Sequence, residues 1–162
     1  MKNELAVLKS IRHCKLIAKK LDEESKNLAL SSFCAVNVPH GTYGQMQAVC
    51  ALVNKRDLTE RYRQTVVDAI ASMPRGYRAL LLTVYVKKTS KTELCQKFHV
   101  SLATLYRKLD AARKLFADNL QGFGANEPWF TSVNAALAVF HAALQKQTFD
   151  AAFDAYCDAL DV

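Results

Sequence analysis

The sequence predicts an all-α fold, and three observations carry that prediction. Only 5 Gly and 3 Pro occur among 162 residues, 51% of them apolar, so helix breakers are few and there is material for one sizeable core. Residues 3–32 contain neither Gly nor Pro and place apolar or small side chains at spacings of four and three in alternation. Ser90 and Ser101 each stand where a helix N-cap belongs, because a serine hydroxyl can accept from a backbone N–H left free in the first helical turn.

The N-terminal seam runs Val7, Ile11, Cys14, Ala18, Leu21, Ser25, Leu28. Such spacing lays one long helix against another, and it suits two arrangements equally: packing on the chain's own body, or a coiled-coil homodimer. Residues 33–44, FCAVNVPHGTYG, are the expected break, punctuated by Pro39, Gly41 and Gly44. A short helix over Gln45–Asn54 is expected next. Asp57 then reads as the cap of a longer helix whose inner positions are Leu58, Tyr62, Val66, Ala69 and Ile70, ending at Ser72-Met73. Pro74 suits the first turn of the following helix, where Tyr77, Leu80, Leu81, Val84 and Tyr85 form a stripe through Lys87. Tyr62, Tyr77 and Tyr85 are expected in or beside the core. Three units result: a long helix and loop over 1–44, a central domain over 45–120, and an extension over 121–162.

The most informative stretch is 89–120. Ser90 and Glu93 form a capping box, in which the serine accepts from the Glu93 N–H while the glutamate reaches back to the Ser90 N–H. A short helix over Lys91–Phe98 follows, then a tight corner at His99-Val100. Ser101 caps a second helix reaching about Asp118, so the pair reads as a helix-turn-helix. Wound at 100° per residue, Leu102, Leu105, Leu109, Ala112 and Phe116 of this second helix share an arc of about 80°. The opposite face holds Ala103, Arg107, Asp110 and Lys114, flanked by Thr104 and Ala111. A recognition helix needs this division, with apolar residues seating its inner side and small or basic residues free to approach base edges. The candidate DNA-binding residues are Lys91, Ser101, Ala103, Thr104, Arg107, Lys108 and Lys114. Among them Arg107 suits guanine, Ala103 and Thr104 suit a thymine methyl or a phosphate, and Lys108 and Lys114 suit the phosphate backbone.

These residues also carry a family resemblance. From about Asp57 to Leu120 the chain resembles region 4 of the sigma-70 class of bacterial transcription initiation factors, and within that class the small phage and mobile-element regulators. The matching points are Glu93-Leu94-Cys95, Val100-Ser101 at the turn, Thr104-Leu105, and Ala112-Arg113-Lys114-Leu115. His99 stands where that family usually has Gly, and Cys95 where it usually has Ala. The resemblance implies a helix-turn-helix regulator that reads the major groove with the helix after Ser101, supported by the helix before it.

Charge distribution points the same way. Residues 1–121 hold 21 Lys/Arg against 10 Asp/Glu, whereas 122–162 hold one Lys against five acids. Between Arg75 and Lys114 there are ten basic residues and two acidic ones, a density that favours a polyanionic partner through counterion release. Cysteines 14, 34, 50, 95 and 157 are odd in number and scattered, which suits free thiols in a reducing, cytoplasmic setting. No stretch has the length and apolarity of a membrane span, and the N-terminus has no secretory pattern.

Past Leu120, QGFGANEP over 121–128 reads as a linker. Helices over Trp129–Gln147 and Thr148–Leu160 are then expected as an acidic hairpin, the second carrying Phe149, Phe153, Tyr156 (or Ala152), Cys157 and Leu160. It suits binding polymerase or another protein, covering the basic face, or capping the N-terminal helix. The usual marks of catalysis are missing: no Gly-rich phosphate loop, no His-Glu-x-x-His, no Cys-x-x-Cys. Cys95 with His99 supplies only two of the four ligands a structural zinc needs. Asp150, Asp154 and Asp158 read as a solvated acidic face, so neither enzyme, metal nor cofactor is expected. The partner expected is double-stranded DNA, with docking on RNA polymerase or a sigma factor without base contacts as the alternative. RNA is less favoured, because the aromatic and basic sheet pattern of RNA modules is missing.

Overall fold

The computed structural model describes residues 2–34 and 41–137. Every regular element among them is helical: α1 (Lys2–Cys34), α2 (Gly41–Ala71), α3 (Arg75–Leu81) continuing as a π-helical turn over Leu82–Val86, α4 (Lys91–Phe98), α5 (Leu102–Gly122) and α6 (Glu127–Ala136). None of these helices is long and apolar enough to cross a membrane.

The N-terminal seam is buried within the chain. Val7, Cys14, Ala18, Leu21 and Ser25 are all closed off from solvent, and Ile11 and Leu28 are half-buried. Their cover is α2, which runs antiparallel to α1. Ser10 meets Tyr62, Asp22 meets Arg56, and Gln45 Nε2 donates to the Leu28 carbonyl at 2.8 Å, so partners descend along α2 as they ascend along α1. At the middle of this pair the Tyr62 hydroxyl lies 2.5 Å from Ser10 Oγ, which also donates to the Val7 carbonyl at 3.0 Å. Both buried hydroxyls are therefore satisfied, as a closed helix pair requires.

Two sequence expectations about this region need correction. Residues 41–44 are not loop, and α2 is a single helix rather than a short one followed by another capped at Asp57. The Asp57 carboxylate is bound by the Arg56 guanidinium at 2.8 Å instead, and the same guanidinium reaches Asp22 on α1 at 2.7 Å. Thr59 turns its hydroxyl back to the Lys55 carbonyl at 2.8 Å, which lets a β-branched polar residue sit fully buried in mid-helix without an unmet donor. Tyr62, Val66, Ala69 and Ile70 are buried as the spacing predicts, while Leu58 is only half-buried.

The stripe on α3 also lies inward, with Leu80, Leu81 and Tyr85 buried and Tyr77 and Val84 half-buried. After Leu81 the helix widens. The Lys87 N–H donates to the Leu82 carbonyl at 3.0 Å, five residues back, before Lys88 turns left-handed at φ 53° and Thr89 N–H closes on Thr83.

At the other end, half of the linker expected over 121–128 is helix. Gln121 and Gly122 finish α5, and Asn126 caps α6 by accepting from the Trp129 N–H at 3.1 Å. Only the turn between them is irregular, built on Gly124 at φ +88°, with Gly124 N–H donating to Gln121 and Ala125 N–H to Leu120. Trp129 then stacks on Tyr62 with centroids 5.5 Å apart. The helix expected to reach Gln147 gives way at Leu137, which is extended; the second half of the hairpin lies outside the described residues. Buried side chains from α1 to α6 make one continuous core.

Candidate nucleic-acid interface

The segment from Ser90 to Leu120 is built as its local chemistry dictates. Ser90 accepts from the Glu93 N–H at 3.2 Å and Glu93 returns the bond to the Ser90 N–H at 3.3 Å, so α4 starts on a complete capping box. It ends on His99, left-handed at φ 49° and ψ 44°. Val100 N–H donates to the Cys95 carbonyl at 3.1 Å and His99 N–H to Gln96 at 3.4 Å. This is the crossed pair of bonds that closes a helix on a left-handed residue, with half-buried Val100 folding onto the core behind it. The imidazole stays outside and the left-handed turn lets the chain reverse within three residues. Ser101 then opens α5, accepting from the Thr104 N–H at 3.2 Å.

On α5, Leu105, Leu109, Ala112, Phe116 and Leu120 are buried. Leu102 is the exception and corrects the expectation: it is 51% exposed. It stands one turn ahead of the place where α5 meets α3, and Leu105 takes the first inner site. The opposite face is open. Ala103, Arg107, Lys108, Ala111 and Lys114 are exposed, while Asp110 is half-buried.

The candidate contact residues differ in how free they are. Arg107 and Lys108 make no hydrogen bond or ion pair with any of the described residues. Lys114 is held by Asp110 at 3.0 Å, an exposed pair one helical turn apart and weakly bound. Ser101 and Thr104 hold each other, their hydroxyls 2.9 Å apart, so both are spent on starting the helix and Thr104 is half-buried. Lys91, at the first position of α4, reaches across to α5 and donates to the Tyr106 hydroxyl at 3.0 Å.

Tyr106 is a residue the sequence did not single out, and Arg113 one whose contact it did not predict. Arg113 Nε donates to the Tyr85 hydroxyl at 2.6 Å, with the guanidinium 5.6 Å from that ring, tying α5 to the turn after α3. Tyr106, Leu102 and Phe98 are 44–51% exposed and add apolar surface beside the basic residues. The spacing of four between Leu102 and Tyr106 was the available signal. Cys95 is half-buried and His99 exposed, and no three His, Cys, Asp or Glu side chains gather as a metal site among the described residues.

Neither family models, curated proteins nor solved structures gave a match to this chain.

Proposed function

We propose that the protein is a DNA-binding transcriptional regulator resembling sigma-70 region 4, with α4 and α5 as its helix-turn-helix and α5 read into the major groove. One observation carries the reading: Arg107 projects from the open face of α5 without a partner among the described residues, while Leu105, Leu109, Ala112 and Phe116 hold the other face in the core. An arginine so placed can donate two hydrogen bonds to guanine O6 and N7. The exposed Lys108 and Lys114 of the same helix supply charge for the phosphates. The α1 seam is spent on α2, so a homodimer on DNA would use another surface.

Selection from a random DNA pool followed by gel shift over a salt series tests this. A defined site, with affinity falling steeply as salt rises, is expected; no salt-dependent binding to any duplex would end the reading. A palindromic site would mark a dimer, since half-site spacing mirrors protein symmetry.

A second reading, docking on RNA polymerase or a sigma factor without base contacts, draws on the exposed Phe98, Leu102 and Tyr106, which phosphate binding does not call for. Polymerase subunits surviving nuclease treatment in a pull-down from host lysate, together with failure of the DNA selection, would favour it.

A further inference from the structure

Beside the open face of α5 runs an apolar groove of about 400 Å³, walled by Tyr77 and Leu80 from α3, Phe98 and Val100 from the end of α4, and Leu105 and Lys108 from α5. Its one charged lining residue is cationic: Lys108, which is exposed. Lys97, also exposed, precedes Phe98 in the chain.

We propose that this groove seats the chain's own C-terminal segment, residues 148–161. That segment lies beyond the described residues, but its composition suits the groove on two counts. Phe149, Phe153, Tyr156 and Leu160 recur at the spacing of one helical face, supplying aromatic and aliphatic groups for an apolar trough. Asp150, Asp154, Asp158 and Asp161 recur beside them, with no Lys or Arg in the segment, so its acids would meet Lys108 in the groove wall. Leu137 is already extended, and the ten residues 138–147 can span up to about 33–36 Å when drawn out. The occupant chosen is the one whose charge the rim complements and which is tethered at high effective concentration.

A seated segment would bring its acids beside Lys108 and Arg107, and so compete with a polyanion for α5. That consequence rests on the DNA reading; the docking itself does not.

The test is zero-length carbodiimide cross-linking of the full chain, mapped by mass spectrometry. Amide bonds from Lys97 or Lys108 to Asp150, Asp154, Asp158 or Asp161 are expected in the monomer band, weakening at high salt. Two variants check the groove. In Phe149→Ser/Phe153→Ser the yield should fall about tenfold or more, since each ring withdrawn from an apolar site weakens the docking equilibrium by about tenfold. In Gly76→Phe the new ring should block the groove with similar loss. A Cβ at Gly76, which also lines the groove, meets nothing within 4 Å, so the helix tolerates it. Links only in a dimer band, links chiefly to lysines of α1, or yields unchanged in the double variant would each overturn the proposal. If the linkage survives and DNA binding is nonetheless absent, the docking stands and the DNA reading falls.

Discussion

The ammonium of Lys91 donates to the hydroxyl of Tyr106 at 3.0 Å and stands 4.7 Å from the centroid of the same ring. One side chain from the first turn of α4 thus clasps one from the second turn of α5, across the corner at His99. The contact ties α4, which has Leu94 as its one fully closed residue, to the deeply seated α5. A double-mutant cycle of Lys91→Ala and Tyr106→Ala should give a coupling of about 0.5–1 kcal/mol in denaturant unfolding. Tyr106→Phe should keep most of it, because the ring face remains. A coupling near zero would show that the pair only shares space.

Arg107 and Lys114 should behave differently on DNA. Arg107→Ala is expected to cost about 1–3 kcal/mol on the selected site and to relax discrimination at one base position. Lys114→Ala should weaken all sequences alike and flatten the salt slope by about one unit. The existing bond from Lys114 to Asp110 adds a further expectation. Asp110→Asn should raise affinity for any duplex, through loss of a nearby negative charge. Titrations on specific and random duplexes separate these cases.

His99 occupies a conformation that glycine adopts without strain. His99→Gly should therefore stabilise the protein by about 0.5–1 kcal/mol, the relief of left-handed strain exceeding the entropy added to the unfolded chain. A β-branched residue there should do the reverse. Denaturant midpoints at constant slope decide it.

Tyr62 is 2% exposed and holds together three helices, bonding Ser10 of α1 from its place on α2 and stacking on Trp129 of α6. Tyr62→Phe should cost only about 0.5–1.5 kcal/mol, because Ser10 keeps its bond to the Val7 carbonyl. Tyr62→Ala should cost about 3–5 kcal/mol through the cavity left behind. Unfolding of the two variants side by side gives both values.

Burial pushes the pKa of the Cys14 thiol up to about 12, from an ordinary value of 9.0. The folded state therefore favours the protonated thiol. Its contribution is fully present below pH 9 and is lost as pH rises from 9 towards 12. Cys14→Ser or Cys14→Ala should flatten the alkaline arm of the stability profile. Under native conditions Cys14 should resist alkylation while exposed Cys50 reacts, which peptide mass mapping would show.

The parts legible in the sequence are those whose causes lie within a turn or two of chain. The capping box at Ser90 and Glu93, the cap at Ser101 and the buried arc from Leu105 to Phe116 depend on neighbours three to eleven residues apart. The α1 seam was readable as a pattern, though its partner was not. Residues whose fate depends on something distant were misread or missed. Asp57 looks like a cap until Arg56 is seen shared between it and Asp22 on another helix. Gly44 looks like a break until α1 lies alongside, where Gln45 bonds the Leu28 carbonyl and packing outweighs the roughly 1 kcal/mol that a helical glycine costs. Leu102 looks inward until α3 closes over Leu105 instead.

The sequence by itself determined where most helices begin and which face of each is apolar, because hydrogen bonds at helix ends and the period of 3.6 are local properties of the chain. Only the tertiary structure decided that α1 spends its seam on α2, that Tyr106 receives Lys91, and that Arg107 is left without a partner among the described residues. Those outcomes turn on which surfaces meet once the core closes, and no spacing along the chain encodes that.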